Sequence, residues 1–489
     1  MVMLFQTAKQ LHRKQIEDFG IPISKVERAV LYQKFADKLI VNPELTRALV
    51  SYQANKSAPF YRWLKYKEAF SSELVKYVLD RFRPNAGRTP RVLDPFAGAG
   101  TTLTTSSKEG WKATGIELLP IGIAAIRARL SADKVNIKSF KYYLDHLGKY
   151  SFDIASNKYT FPHLRITEKA FSKKTEKALS SYVAFIENIK NEDTRYLFWF
   201  ACLSILEDVS FTRKDGQYLR WDSRSGRSLR SSFNKGNIPD FRTAIISKLH
   251  IIFDDLKKRN GGTFSKNVKV VEGSCLTELA KLPAESFDLI MTSPPYCNRY
   301  DYTRTYALEL AFMGHTEEDV RNLRQTLLSA TVENKTKRKQ LALEYCTADR
   351  MDRYEAAVKA FTNQRALHEV LDILYEAREQ GSLNNNNIPN LVENYFFEMN
   401  IVIHELSRLL APGGHVVMVN DNVQYHGEEV PVDLILSDLA QNAGLNVDHI
   451  WVLPRGKGNS SQQMGAHGRN EIRKCVYVWS KPNNEQKPS

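Results

Sequence analysis

The chain has 489 residues, and its 69 lysines and arginines outnumber its 55 acidic residues, which gives a net charge of +14. A hydrophobic fraction of 43% excludes wholesale disorder, and no apolar run approaches the roughly 18 residues of a membrane span. The five cysteines are scattered and never form a C-x-x-C pair, which excludes a disulfide framework and favours a cytoplasmic protein. The positive excess indicates either a polyanionic partner or a merely basic surface.

The leader, residues 1–60, is polar and predicts helical structure without catalytic chemistry. Ser24 is placed to cap a helix whose apolar stripe continues to Ile40. Asn42-Pro43-Glu44 predicts the start of a second helix, with proline at the first helical position. We therefore expect the leader to pack against the rest of the protein or to dock a partner.

From residue 61 the pattern alternates between helix and strand. It predicts a helix over Phe70–Phe82, a buried strand from Arg91 that breaks into a Gly-rich turn and a helix, and a strand over Trp111–Glu117. The alternation of predicted helices and strands stops near residue 140 and resumes near residue 266. Further strands are expected at 269–273, 286–292, 415–419, 449–454 and 474–479, and further helices at 391–410 and 431–443. This rhythm is typical of an α/β fold with a doubly wound, Rossmann-like sheet.

The interruptions divide the chain into a split core and two large insertions. The core segments are expected at 61–140, 266–314 and 391–482, mostly helical insertions at 141–265 and 315–390, and a tail at 483–489. Segments this long between core elements are usually functional. The chain is therefore predicted to be one enlarged α/β unit with an N-terminal helical segment.

The first chemical motif is Asp94-Pro-Phe-Ala-Gly-Ala-Gly-Thr-Thr102, which follows a predicted strand and precedes a predicted helix. A nucleotide-type cofactor loop belongs at this place, because Gly98 and Gly100 let the backbone approach a ligand closely. Glu117 ends the next strand, 23 residues after Asp94, where a carboxylate can accept both hydroxyls of a ribose. A tight turn that needs glycine only for packing does not explain this spaced acid.

The second motif is Thr292-Ser-Pro-Pro-Tyr296, directly after an apolar strand. It suits an exocyclic amino group on a planar base, whose nitrogen is a poor nucleophile because its lone pair is delocalised into the ring. Ser293 Oγ and the Pro294 carbonyl can accept hydrogen bonds from that amino group, since prolines fix the backbone and offer no N–H. Tyr296 offers an aromatic face for a base taken out of a duplex. The alternative is a proline-rich turn without function.

Together the motifs resemble those of the S-adenosylmethionine-dependent DNA amino-methyltransferases, which methylate cytosine N4 or adenine N6. The resemblance covers residues 61–130, 266–310 and 391–480, and Lys65–Val75 resembles the element that closes over the methionine end of the cofactor. It implies a class I methyltransferase sheet, S-adenosylmethionine as cofactor and double-stranded DNA as partner. The cofactor residues it implies are Phe70, Asp94, Pro95, Phe96, Ala97, Gly98, Gly100, Thr101, Thr102, Glu117, Leu118, Ser274 and Cys275, and the catalytic residues are Ser293, Pro294, Pro295 and Tyr296.

The resemblance also bears on the target base. Serine at the first tetrapeptide position is the form associated with cytosine N4, whereas aspartate or asparagine is more usual for adenine N6, so cytosine is favoured. The family usually places an adenine-binding acid where this chain has Gly273-Ser274-Cys275, and a serine would accept that hydrogen bond more weakly. Three alternatives stay open: a DNA adenine-N6 methyltransferase, an RNA guanine-N2 methyltransferase, and a catalytically weak DNA-binding subunit of a defence complex.

Two other chemistries are not expected. Cys297 follows the tetrapeptide with Tyr296 in between, so it does not form the Pro-Cys nucleophile of carbon-5 cytosine enzymes, and methyl transfer to nitrogen needs no covalent adduct. None of the 11 histidines belongs to a metal-type constellation, so no metal is predicted. A role in restriction–modification or phage defence, with a cognate restriction endonuclease or second subunit as partner, follows from the resemblance.

Two basic segments are candidate DNA contacts. Residues 211–242 interleave arginines with aromatic and small polar residues and carry a net charge of +5, which suits phosphate and base-edge contacts. The Gly-rich stretch 455–469 joins the last two predicted strands. The predicted contacts are Arg213, Arg220, Arg224, Arg227, Arg230 and Lys235 in the first segment, and Arg455, Lys457, Gln462 and Arg469 in the second. A solvated basic loop and a flexible hairpin tip are the respective alternatives, and target recognition is expected within 141–265.

Overall fold

The computed structural model describes residues 26–84, 87–152, 159–215, 218–229, 232–259, 264, 266–454 and 472–483. Its strands are β1 (Leu39–Val41), β2 (Arg91–Asp94), β3 (Lys112–Glu117), β4 (Thr212–Asp215), β5 (Tyr218–Trp221), β6 (Val268–Glu272), β7 (Phe287–Thr292), β8 (Leu410–Asp421), β9 (Val423–Tyr425), β10 (Glu428–Val430), β11 (Asn446–Val452) and β12 (Lys474–Ser480). Its helices are α1 (Val26–Lys34), α2 (Ser72–Arg81), α3 (Thr101–Lys108), α4 (Pro120–Ser131), α5 (Ile137–Lys149), α6 (Lys173–Glu187), α7 (Glu192–Val209), α8 (Phe241–Lys257), α9 (Cys275–Glu278), α10 (Tyr302–Thr305), α11 (Ala307–Phe312), α12 (Glu317–Thr326), α13 (Arg338–Thr347), α14 (Met351–Thr362), α15 (Arg365–Glu379), α16 (Ile388–Leu409) and α17 (Val432–Asn442).

The described strands build one large sheet in the order β1-β11-β12-β8-β7-β2-β3-β6, flanked by the small hairpins β4–β5 and β9–β10. In the large sheet β12 runs antiparallel to its two neighbours, and the other strands are parallel. The chain winds from β2 towards β6 at one edge and from β7 towards β11 at the other. Ligands of open α/β sheets bind at such a reversal, beyond the carboxyl ends of the strands. The predicted Rossmann-like α/β fold is confirmed.

Helices cover both faces of the sheet. On one face α2 and α3 bury Leu74 and Leu103 in the same cluster as Val92 and Leu289. On the other face α16 and α17 pack against the opposite sides of the same strands. The central strands read as nearly continuous apolar runs because both of their faces are buried. Among the described helices, none combines the length and the apolar character that crossing a bilayer requires.

The segment predicted as the first insertion folds mainly into helices, and these share one hydrophobic cluster with α4. Helices α5 to α8 bury Phe140, Phe198 and Leu249 in this cluster, which also takes in Leu308 from α11 and Tyr306 directly before that helix. The basic segment 211–242 contains the hairpin β4–β5, and Leu219 of this hairpin is buried in the same cluster. The hairpin therefore lies beside the segment that follows β7 and contains α11.

The leader folds differently from the sequence prediction. Helix α1 ends at Lys34, and Leu39–Val41 forms β1, parallel to β11, so a continuous helix to Ile40 is wrong. The edge of the sheet supplies the reason, because Ile450 N donates to Lys38 O at 2.8 Å and Asn42 N donates to Val452 O at 3.0 Å. The helix predicted at Asn42 is also absent from the described leader, where the Asn42 side chain accepts Glu44 N at 3.0 Å in a turn. Ser24 lies outside the described residues.

Candidate active site

A cavity of 620 Å³ lies beyond the carboxyl ends of β2, β3, β7 and β8. Both sequence motifs line it, at the reversal of winding between β2 and β7. All of the predicted cofactor and catalytic residues line this cavity except Gly100, which stands directly behind its wall. The volume falls within the range of about 300–1,000 Å³ that is usual for small-molecule sites.

Asp94 joins the two motifs physically. It ends β2, is 2% exposed, and its two oxygens accept hydrogen bonds from Thr102 Oγ1 at 2.6 Å and Thr292 Oγ1 at 2.7 Å. Burial raises the pKa of this carboxyl to about 6, although the bonds from Thr102, Thr292 and the Phe96 amide pull in the opposite direction. The start of α3 and the end of β7 are thus held by one side chain.

Glu117 closes the cofactor loop from the neighbouring strand. Its carboxylate accepts Gly98 N at 2.5 Å and Leu119 N at 2.6 Å, and burial raises its pKa to about 7. Gly100 caps α3 with φ +77°, and a Cβ there would lie 2.5 Å from Ile126 Cγ1. The loop therefore needs glycine both for its left-handed backbone and for its contact with α4.

The tetrapeptide leaves β7 at the floor of the same cavity. Ser293 and Tyr296 are half-buried, and Ser293 Oγ donates to Tyr296 Oη at 3.4 Å. Cys297 is fully buried, its carbonyl accepts the Tyr425 hydroxyl at 2.6 Å, and burial raises the pKa of its thiol above the usual range. A protonated, inaccessible thiol does not suit a nucleophile.

The wall near Ser274 comes partly from the second insertion. Ser274 Oγ donates to the Thr326 carbonyl at 3.2 Å, which leaves its oxygen lone pairs as acceptors. The chain after Thr326 is fixed because buried Glu398 accepts Ser329 N at 2.7 Å and pairs with Lys337 Nζ at 2.9 Å. Lys337, which the sequence shows within a basic run, is therefore a buried structural cation.

Several residues that line the cavity were not predicted from the sequence. Tyr300 and Tyr302 line the cavity after the tetrapeptide, Glu68 comes from the segment before Phe70, and Asp421 with Lys474 closes the β8–β12 side. The tyrosine-rich stretch after residue 296 is a signal that could have indicated an aromatic wall. The Asp421–Lys474 pair has no local signal, because its members lie 53 residues apart and meet only through strand pairing.

The predicted DNA-contact residues divide into two groups. Arg213 and Arg220 stand directly opposite each other on the outer face of the β4–β5 hairpin, and both are exposed. Arg220 also pairs with Asp215 at 3.2 Å. Like charges in register repel each other, so an anion between them would stabilise the hairpin.

The remaining described cations of this segment make internal contacts. Arg224 Nε pairs with buried Asp222 at 2.7 Å, Arg227 stacks on the Trp221 ring at 4.1 Å, and Lys235 Nζ donates to the carbonyl after α7. Arg230, Arg455, Lys457, Gln462 and Arg469 lie outside the described residues. Within the described part of the chain no cluster of histidine, cysteine, aspartate and glutamate has the arrangement of a metal site.

Comparison with known proteins gives the following relatives. The chain is 43% identical over 477 residues to the type II methyltransferase M.AvaI of Nostoc sp., and the match covers 96% of each chain. The M.AvaI protein of Anabaena variabilis matches with the same identity and coverage. The type II methyltransferase M.BsoBI of Geobacillus stearothermophilus is 38% identical over 477 residues, which cover 94% of this chain and 92% of that relative. No protein-family model matches the chain.

Proposed function

The chain belongs to the family of type II methyltransferases, and we propose that it methylates the exocyclic amino group of a base in double-stranded DNA, with cytosine N4 as the acceptor. The observation that carries this proposal is the single cavity lined by the Asp94–Thr102 loop and the Ser293–Tyr296 tetrapeptide. A cofactor loop and an amine-binding element must face the same space if a methyl group is to pass directly between two ligands.

The residues present fit S-adenosylmethionine. The Gly98 and Gly100 loop approaches the cavity without side chains, and the Glu117 carboxylate stands at the strand end where ribose hydroxyls can donate to it. Ser274 offers an acceptor on the wall where an adenine would lie, and Phe70 packs at the other end. When bound, this cofactor would supply an electrophilic methyl group, whose carbon a neutral nitrogen can attack while the neutral thioether leaves.

The tetrapeptide prepares the base. Ser293 Oγ and the Pro294 carbonyl accept hydrogen bonds from the amino group, which favours the pyramidal form with a localised lone pair. Tyr296 stacks on the extruded base, and its hydroxyl stays protonated because burial raises its pKa. The surplus proton leaves to solvent or through Ser293, since an alkylated amino group loses it readily. Ser293 rather than aspartate at this position favours cytosine over adenine.

DNA contact is proposed for the β4–β5 hairpin within residues 141–265. Arg213 and Arg220 present two exposed cations in register, and the hairpin is joined to the catalytic side through buried Lys214, whose Nζ pairs with Glu309 at 2.5 Å. A duplex lying on this face would neutralise the paired arginines. A further proposal is that methylation protects DNA from a restriction endonuclease of the same site specificity.

The test is methyl transfer from labelled S-adenosylmethionine to duplex DNA, followed by digestion and identification of the modified nucleoside. We expect N4-methylcytosine, its loss in Ser293→Ala, and full activity in the matched control Cys297→Ser. N6-methyladenine would correct the base, and transfer to RNA alone would correct the substrate. Cofactor binding without transfer to any nucleic acid would favour the inactive subunit.

A further inference from the structure

Glu68 is a fixed carboxylate on the wall of the cavity. Its Oε2 accepts the Tyr306 hydroxyl at 2.5 Å, and its Oε1 accepts the Tyr300 hydroxyl. The Tyr306 ring stacks on Tyr66 with centroids 5.3 Å apart, so the chain on both sides of Glu68 is anchored. Burial, reinforced by the Glu68 charge, raises the pKa of both phenols well above the usual range, so they remain hydrogen-bond donors.

The carboxylates that line the cavity differ in their surroundings. Asp94 is engaged by the two threonine hydroxyls, and Glu117 by two backbone amides. Asp421 pairs with Lys474. Within the described part of the chain, Glu68 forms no ion pair with a lysine or arginine, and its hydrogen bonds come from neutral phenols. Asp94 and Glu117 form no described ion pair either, but both are buried, whereas Glu68 is half-buried and its charge is more accessible to a ligand.

The chemistry of the ligands decides which group Glu68 meets. DNA phosphates are anions that a carboxylate repels, and the target base is neutral. The positive groups belong to the cofactor, which has a sulfonium and an α-ammonium. A sulfonium has no hydrogen to donate, and a carboxylate against it would stabilise the charge that methyl transfer must remove.

We propose that Glu68 binds the α-ammonium group of the cofactor's methionine, with Tyr300 and Tyr306 as the positioning residues that hold the carboxylate. Glu68 stands two residues before Phe70, and both line the cavity. An ammonium offers three donors, and each carboxylate oxygen retains a lone pair beyond the phenol bond. This inference rests on the proposed use of S-adenosylmethionine.

The test is calorimetric titration of the full chain with three ligands: S-adenosylmethionine, S-adenosylhomocysteine and 5′-methylthioadenosine, which lacks the amino acid group. In Glu68→Gln we expect both amino acid ligands to bind about 10- to 100-fold more weakly, the usual size of a charge-assisted hydrogen bond. Binding of 5′-methylthioadenosine should not change. The matched control Glu355→Gln, exposed on α14 and outside the cavity lining, should leave all three affinities unchanged.

Three results would overturn the inference. An equal loss for all three ligands would show that Glu68 only shapes the cavity, and a loss for S-adenosylmethionine alone would assign it to the sulfonium. No loss for any ligand would remove Glu68 from binding. If Glu68→Gln does not fold, Tyr306→Phe carries the test, with a smaller loss in the same ligand pattern. A wild-type chain that binds none of the three ligands contradicts the proposed function itself.

Discussion

Substitution of Gly100 by alanine tests how the cofactor loop is built. The residue has φ +77°, which costs a non-glycine residue about 1–2 kcal/mol, and its Cβ would lie 2.5 Å from buried Ile126 Cγ1. Overpacking a buried contact of this kind costs about 1–3 kcal/mol more. Gly100→Ala should therefore lower the free energy of unfolding by about 2–5 kcal/mol.

Gly110→Ala separates the two contributions. Gly110 has φ +81°, and no described atom lies within 4 Å of its added Cβ, so this variant should lose only about 1–2 kcal/mol. Urea unfolding followed by tryptophan fluorescence measures both losses. A double-mutant cycle with Ile126→Ala should return a coupling energy of about 1–3 kcal/mol at Gly100. Equal losses at the two glycines, or no coupling, would refute the packing argument.

Other predictions concern protons, the thiol and DNA. Because burial raises the pKa of Glu117 to about 7 and ribose hydroxyls favour its ionised form, binding should release a proton and the affinity for S-adenosylhomocysteine should rise from pH 6 to 8. Calorimetry in buffers of different ionisation enthalpy measures this release, and Glu117→Gln should abolish it; a slope that survives would refute the assignment. Cys297→Ser should retain the full methylation rate, and a complete loss would contradict its packing role. Arg213→Ala should reduce the slope of log Kd against log salt by about 1, whereas Arg224→Ala should keep the slope and lower the melting temperature by exposing buried Asp222; the reverse pattern would exchange their roles.

The core of the fold was predictable because its signals are local. The predicted helix over Phe70–Phe82 is observed as Ser72–Arg81, and the strand before the tetrapeptide is observed as Phe287–Thr292. Buried parallel strands read as apolar runs, and glycine or proline marks where they end. The two motifs follow such strands, so their meeting at one edge of the sheet could also be predicted from topology.

Elements that depend on distant partners were not predictable. β1 exists because Leu39–Val41 pairs with a strand more than 400 residues later, and its own sequence continues a helical stripe. Glu68 and Tyr306 are 238 residues apart, and although Glu68 lies within the Lys65–Val75 element, no local pattern pairs it with Tyr306. The local composition predicts Arg224 and Lys235 as DNA contacts. In the structure both make internal bonds, which depend on the geometry of the hairpin. Tertiary pairing overrides local preference in each case.

Asp94 has a structural role that the amino-acid composition does not predict. From sequence it is a cofactor residue, but its oxygens are occupied by hydroxyls from Thr102 and Thr292, the latter 198 residues away. Asparagine would replace one acceptor oxygen with an NH₂ donor, so one of the two buried hydroxyl hydrogens would lose its acceptor, which costs about 1–3 kcal/mol. A carboxylate is therefore required for joining the motifs as well as for facing the cavity. Because this bond crosses directly from β2 to β7, the long insertion between the two motifs does not loosen their alignment.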